Sequence, residues 1–127
     1  MNITRSSTGR DLIEVGMAIH KLVNNLPLTM RCQNSNGLRI EEGKVLDYEY
    51  TGPVLEKVLQ TGKTYRCTPV TGKYAGTPVV VVPIKEEGEV ICALGLVDLT
   101  QGIFSDIVEI SRRPKEIKKN ETPGEFY

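Results

Sequence analysis

The sequence predicts an α+β domain built on a central five-stranded antiparallel sheet flanked by helices. Three observations lead there. Apolar residues recur at three- and four-residue steps in residues 8–26 and again in 100–113, the spacing of amphipathic helices. Residues 78–98 hold two valine-, isoleucine- and leucine-rich stretches joined by a short charged loop, which predicts a buried β-hairpin. The remaining strand-like stretches also follow one another on short connections, so neighbours are expected to pair antiparallel.

In chain order, the first helix is expected over 8–26. Leu12, Val15, Ile19, Leu22, Val23 and Leu26 form its stripe, Thr8 and Asp11 resemble a capping box, and Pro27 stops it. Gly16 inside that helix costs up to ~1 kcal/mol against alanine and points to close packing. Residues 28–33 alternate Leu28, Met30 and Cys32 against Thr29, Arg31 and Gln33, a half-buried strand. The Asn-Ser-Asn-Gly run at 34–37 reads as a turn and 38–42 as the returning strand. Residues 41–51, acidic and rich in tyrosine, read as a mobile connection.

Pro53 suits the first position of a second helix, whose apolar face is Val54, Leu55, Val58 and Leu59 and whose stop is Gly62. Strands are expected at 63–70, 77–84 and 89–98. In the last of these Val90, Cys92, Leu94 and Leu96 should face one way, and Ile91, Ala93, Gly95 and Val97 the other. The third helix, 100–113, carries Ile103, Phe104, Ile107, Val108 and Ile110. The order is therefore α-β-β-α-β-β-β-α, with residues 1–114 one domain and 115–127 a frayed polar tail.

Composition narrows the function classes. The 127 residues suit one domain, and 39% hydrophobic with 25% charged residues is ordinary globular usage. Sixteen basic residues balance sixteen acidic ones, so no global field draws nucleic acid or an anionic membrane. The N-terminus lacks the apolar stretch of a signal peptide, and no apolar run approaches the ~20 residues that span a bilayer. A cytoplasmic location without membrane contact is the expectation.

Cys32, Cys67 and Cys92 stand far apart with no Cys-x-x-Cys pair, which argues against a disulfide framework and fits a reducing compartment. With His20 they would make a tetrahedral zinc set; free cysteine as a small buried hydrophobe is the plainer alternative. His20, the only histidine, lies near the edge of the first helix's stripe and is expected at the surface. No serine has a Gly-x-Ser-x-Gly context, and no nucleophile, base and carboxylate converge, which leans against an enzyme. The glycine-bearing segment 72–76 is followed by a strand rather than a helix, so it reads as a plain loop and not as a phosphate loop. Arg112, Arg113, Lys115, Lys118 and Lys119 make a basic end that suits a helix C-terminus better than nucleic acid.

The order of elements is similar to that of PAS, GAF and Cache domains and the wider profilin-like group. The residues that carry the resemblance are Tyr74-x-Gly76-x-Pro78-Val79, Pro83-Ile84, Gly88 and the run from Ala93 to Asp98. Together with Gly62-Lys63-x-Tyr65 and Gly72-Lys73-Tyr74, they also make the chain resemble an uncharacterised archaeal family, chiefly of methanogens, catalogued as a domain of unknown function. The sensor-domain resemblance implies a ligand between the sheet and the helix at 53–60, with Tyr65, Arg66, Tyr74 and Asp98 as its contacts. Arg66 would grip a carboxylate or simply face solvent; Asp98 would meet an amine or cap the following helix. The expected function is thus a stand-alone small-molecule-binding or sensory domain without a cofactor. A homodimer joined through the first and last helices is the alternative, and a metal-binding protein a more remote one.

Overall fold

The computed structural model describes residues 1–98; the helix expected at 100–113, the tail at 115–127 and the basic end lie outside them. The order is a 3-10 turn (Arg10–Leu12), α1 (Ile13–Leu22), β1 (Leu28–Cys32), β2 (Ser35–Glu41), β3 (Lys44–Tyr50), α2 (Pro53–Thr61), β4 (Tyr65–Cys67), β5 (Val79–Glu86) and β6 (Glu89–Val97). The strands form one antiparallel sheet of six, in the order β3-β2-β1-β6-β5-β4. The expectation of five strands is corrected: residues 41–51 are not a mobile connection but hold β3, turned back on β2 at Glu42-Gly43, both with positive φ (50° and 78°). Lys44, Asp47 and Glu49 charge this edge strand, which is how edges resist pairing with other chains, and that charge hides its period of two.

The hairpin expected at 78–98 is present as β5–β6, closed by Glu87 and Gly88 at φ 53° and 82°. β6 pairs β1 on its other side, so β1 and β6 form the middle of the sheet. One detail of β6 departs from simple alternation. Ile84 opposes Cys92 but Lys85 opposes Val90, so Ile91 is a bulge. Val90 consequently packs with Ala93 on one face, and Ile91 with Cys92 on the other.

Each face has its own helix. α1 and the 3-10 turn cover Leu28, Met30, Cys32, Leu38, Ile40 and Cys92; α2 covers Val79, Val81 and Ala93 from the opposite side. The capping box forms: the Thr8 N–H donates to Asp11 Oδ2 (2.9 Å) and the Asp11 N–H to Thr8 Oγ1 (3.3 Å). The Thr8 N–H, and after it the Thr8 hydroxyl (3.1 Å to Oδ2), hold the exposed Asp11 carboxyl below its ordinary range. α1 ends at Leu22, short of Leu26, because Asn24 and Asn25 take φ near +60°. A Cβ on Gly16 would come within 3.0 Å of Leu38 Cδ1, so the helix approaches β2 as closely as a bare Cα allows. α2 begins at Pro53 and stops at Gly62 (φ 70°), as expected. It buries Leu55, Val58 and Leu59, worth roughly 1.5–3 kcal/mol each when fully removed from water; without that dock a helix this short is unstable.

The turn expected at 34–37 moves back to Gln33-Asn34, and Gly37 lies within β2. A Cβ there would meet Met30 O at 1.9 Å and Arg31 Cα at 2.7 Å, so glycine is required by backbone contact with β1.

His20, expected at the surface, is fully buried. Its Nδ1 is 2.7 Å from the Leu26 carbonyl, and its Nε2 is 2.8 Å from the Gly43 N–H. A carbonyl only accepts and an amide only donates, so the ring is neutral with its proton on Nδ1. One side chain thereby ties the end of α1 to the β2–β3 turn.

Two of the three cysteines, expected to stand alone, do not. β1–β6 pairing puts Cys32 opposite Cys92, and the two form a disulfide. They are separated by 60 residues in the chain, so their meeting is a product of sheet order that no local spacing announces. Cys67 remains free and exposed.

Candidate functional site

A cleft opens beside the first turn of α2, with a free volume, mouth included, of about 410 Å3. Gly52, Pro53, Val54 and Leu55 form one wall, and Pro69, Thr71 and Tyr74 of the β4–β5 loop another. Thr29, Val79, Val81 and Gly95 of the central strands line its base, and Pro27, Leu96 and Val97 complete it. No Asp, Glu, Lys, Arg or His is among the described lining residues. Gly95 keeps the base open: a Cβ there would lie 2.8 Å from Thr29 Oγ1 and 3.0 Å from Val81 Cγ2.

Two tyrosines frame the site. Tyr50 ends β3 and is 7% exposed; its ring meets that of Tyr74 edge-on, centroids 6.4 Å apart. Its hydroxyl lies against the backbone at the N-cap of α2, where a Cβ on Gly52 would be 2.7 Å away. Burial pushes the Tyr50 phenol above its ordinary pKa. Tyr74 donates its hydroxyl to Glu41 Oε2 at 2.6 Å. Burial first, and then the hydrogen bond to that carboxylate, raise its pKa further.

Thr29 and Tyr50 share a property with consequences. Among the described residues neither hydroxyl has a hydrogen-bond partner, although both residues are at least nine-tenths buried. No fully enclosed polar side-chain atom among these residues lacks a partner. Both oxygens therefore retain an opening, and both residues line the cleft.

The residues expected to contact a ligand are distributed over three places. Tyr74 lines the cleft. Tyr65 pairs with Val81 and packs on the α2 side, with Lys57 Nζ 5.6 Å from its ring centroid. Arg66, the next residue of β4, points to the other face and is 59% exposed; its Nη1 is 3.4 Å from Oδ2 of the buried Asp98. Arg66 and Asp98 are thus brought together with each other and not with Tyr74.

The buried arginine is Arg31. Its Nη1 reaches Glu56 Oε1 (2.5 Å), Thr51 Oγ1 (3.0 Å) and Asn36 Oδ1 (3.2 Å), while Nη2 and Nε donate to the Gln33 and Cys32 carbonyls. This group fastens α2 to β1 behind the cleft. Gln33 adds to it through its side-chain amide, donating to the Leu59 and Val90 carbonyls. Sequence reasoning missed Tyr50 because β3 was read as a connection. It missed Thr29 and Arg31 because the polar positions of a half-buried strand are expected to face water, and here they face a helix.

Segment 72–76 is a loop, as expected, with Gly72 and Gly76 at positive φ. No group of three or more His, Cys, Asp or Glu suited to a metal ion occurs among the described residues. No helix among them is long and apolar enough to cross a membrane.

Comparison with known proteins gives one family. A family model described as an uncharacterized protein conserved in archaea (DUF2111) matches residues 19–100. An uncharacterized protein of Methanocaldococcus jannaschii, MJ0405, is 47% identical over 118 residues, covering 93% of this chain and 90% of the relative. No solved structure matches the chain. The PAS, GAF, Cache and profilin-like order expected from the hairpin therefore has no structural neighbour, and the six-stranded sheet replaces it.

Proposed function

The chain belongs to the archaeal family DUF2111, and from that premise we propose that it binds a small molecule in the cleft between α2 and the sheet, as a regulatory or sensory domain. The observation that carries this reading is the cleft itself: largely apolar walls with two open hydroxyls among them, the lining chemistry of small-molecule sites. Arg31 supports it by holding α2 in place through bonds to β1 and Glu56, so that the wall of the cleft is set before a ligand arrives. The homodimer alternative draws no comparable support from α1, whose Ile13, Val15, Met17 and Ile19 pack on the domain's own core.

A metabolite panel in a thermal-shift assay, followed by amide NMR on the compounds that respond, tests the proposal. A binder should raise the melting temperature and shift the amides of Gly52, Val54 and Gly95. A broad panel that shifts none of these residues would end it.

A further inference from the structure

The cleft's donors are more informative than its shape. Pro53 at the start of α2 has no N–H, and the Glu56 N–H already bonds the Gly52 carbonyl. Val54 and Leu55, both lining the cleft, hold the amides between them, and no side chain caps this helix. Among the described residues the Thr29 and Tyr50 hydroxyls of the same cleft have no partner. These groups can all donate, and only the two hydroxyls can also accept. A ligand that satisfies them must bring an acceptor oxygen.

Charge decides which kind. No lining residue among those described is cationic or anionic, so neither a carboxylate nor an ammonium ion would find a counter-ion on that wall. The nearby acid, Glu41, is already engaged by Tyr74 and Arg39, and Arg31 is engaged by Glu56, Thr51, Asn36 and two carbonyls. Moving an unpaired ion into such surroundings costs more than a helix N-terminus returns. The remaining surface, Pro27, Pro53, Val54, Val79, Val81 and Val97, suits a compact aliphatic body.

Resting on the small-molecule reading above, we infer that the cleft takes an uncharged carbonyl compound with a compact aliphatic frame. Its oxygen sits at the first turn of α2 and accepts from Tyr50 and Thr29.

Three probes of equal frame separate the charge states: cyclopentanone, cyclopentanecarboxylate and cyclopentylamine, titrated into the full chain by amide NMR. Cyclopentanone should shift Gly52, Val54, Leu55 and Gly95 saturably, with a dissociation constant on the order of millimolar, ordinary for a ligand this small. The two ions should bind at least ~10-fold more weakly. Tyr50→Phe and Thr29→Val should each weaken cyclopentanone by about 5- to 10-fold, the scale of one hydrogen bond. If either ion binds the cleft as well as the ketone, or if folded Tyr50→Phe and Thr29→Val proteins bind it unchanged, the inference is overturned and the small-molecule reading survives. If none of the three probes moves a cleft amide, the carbonyl inference is overturned; the metabolite panel then decides the broader reading independently. The wild-type titration stands even if a variant fails to fold.

Discussion

Replacing His20 by leucine tests the reasoning about a buried imidazole that holds two segments together. Leucine keeps the apolar volume of the site, so the change isolates the loss of two hydrogen bonds, to the Leu26 carbonyl and from the Gly43 N–H. Each bond contributes about 1 kcal/mol net, and orphaning the carbonyl of the half-buried Leu26 adds up to ~1–2 kcal/mol. Gly43 is exposed, so water can replace the ring at that end, which limits the total to roughly 2–4 kcal/mol. Against a stability of about 5–15 kcal/mol for a domain, the loss should lower the melting temperature by about 6–16 °C at some 3–4 °C per kcal/mol. Thermal unfolding followed by circular dichroism measures the shift. Long-range imidazole NMR on the wild type measures the other half of the argument, the proton on Nδ1. An Nε2–H tautomer, or a His20→Leu protein that melts within a degree of wild type, would refute it.

Other outcomes follow from features of the fold. Gly37→Ala places a methyl 1.9 Å from Met30 O; because the obstacle is backbone, the cost should reach about 3 kcal/mol or more, read as a lowered urea midpoint. Arg31→Met removes every bond from α2 to that guanidinium and should destabilise by roughly 2–4 kcal/mol, with amide exchange accelerated in α2 before the central strands; uniform acceleration would contradict the fastening role. Asp11 has its carboxyl pKa depressed by Thr8, so its contribution is complete above the unfolded value near 3.9 and is lost as pH falls through the lower folded value. A carboxyl NMR titration should place its midpoint below 3.8, and Thr8→Ala should move that midpoint up. Thiol alkylation of the denatured, unreduced chain should label Cys67 alone, and reduction should expose Cys32 and Cys92 as well.

What the sequence disclosed and what it withheld divide along physical lines. The capping box, Pro53 at the start of α2, Gly62 at its end and the β5–β6 hairpin depend on neighbours within a few residues, and all were legible. β3 was hidden because an edge strand carries charge on positions that an interior strand would fill with valine. The Ile91 bulge reassigned Val90 and Ile91 between faces, since one extra residue inverts a period of two. The disulfide requires knowing that β1 lies beside β6, the Arg31 cluster that α2 crosses behind β1, and the buried His20 that α1 ends over the β2–β3 turn. The place of the cleft, between the sheet and the helix at 53–60, was anticipated, but of the four residues named as contacts only Tyr74 lines it. Tyr50 and Thr29 acquire meaning from the cleft they share, and that cleft exists only after the sheet has closed.

The β1–β6 pairing has a consequence for how the chain reaches this state. β1, β2 and β3 make one local meander and β4, β5 and β6 another, so each can form from contacts close in sequence. The seam between them instead joins positions 60 residues apart at Cys32 and Cys92, and its loop-closure entropy falls due only when the two halves meet. The seam is therefore expected to zip last and the disulfide to seal a finished ladder. Once sealed, it removes about 4 kcal/mol of entropy from the unfolded chain on the loop-length model. Pulse-labelling hydrogen exchange during refolding should protect the β5–β6 ladder before the β1–β6 ladder; the reverse sequence would show that the two meanders do not fold as separate units.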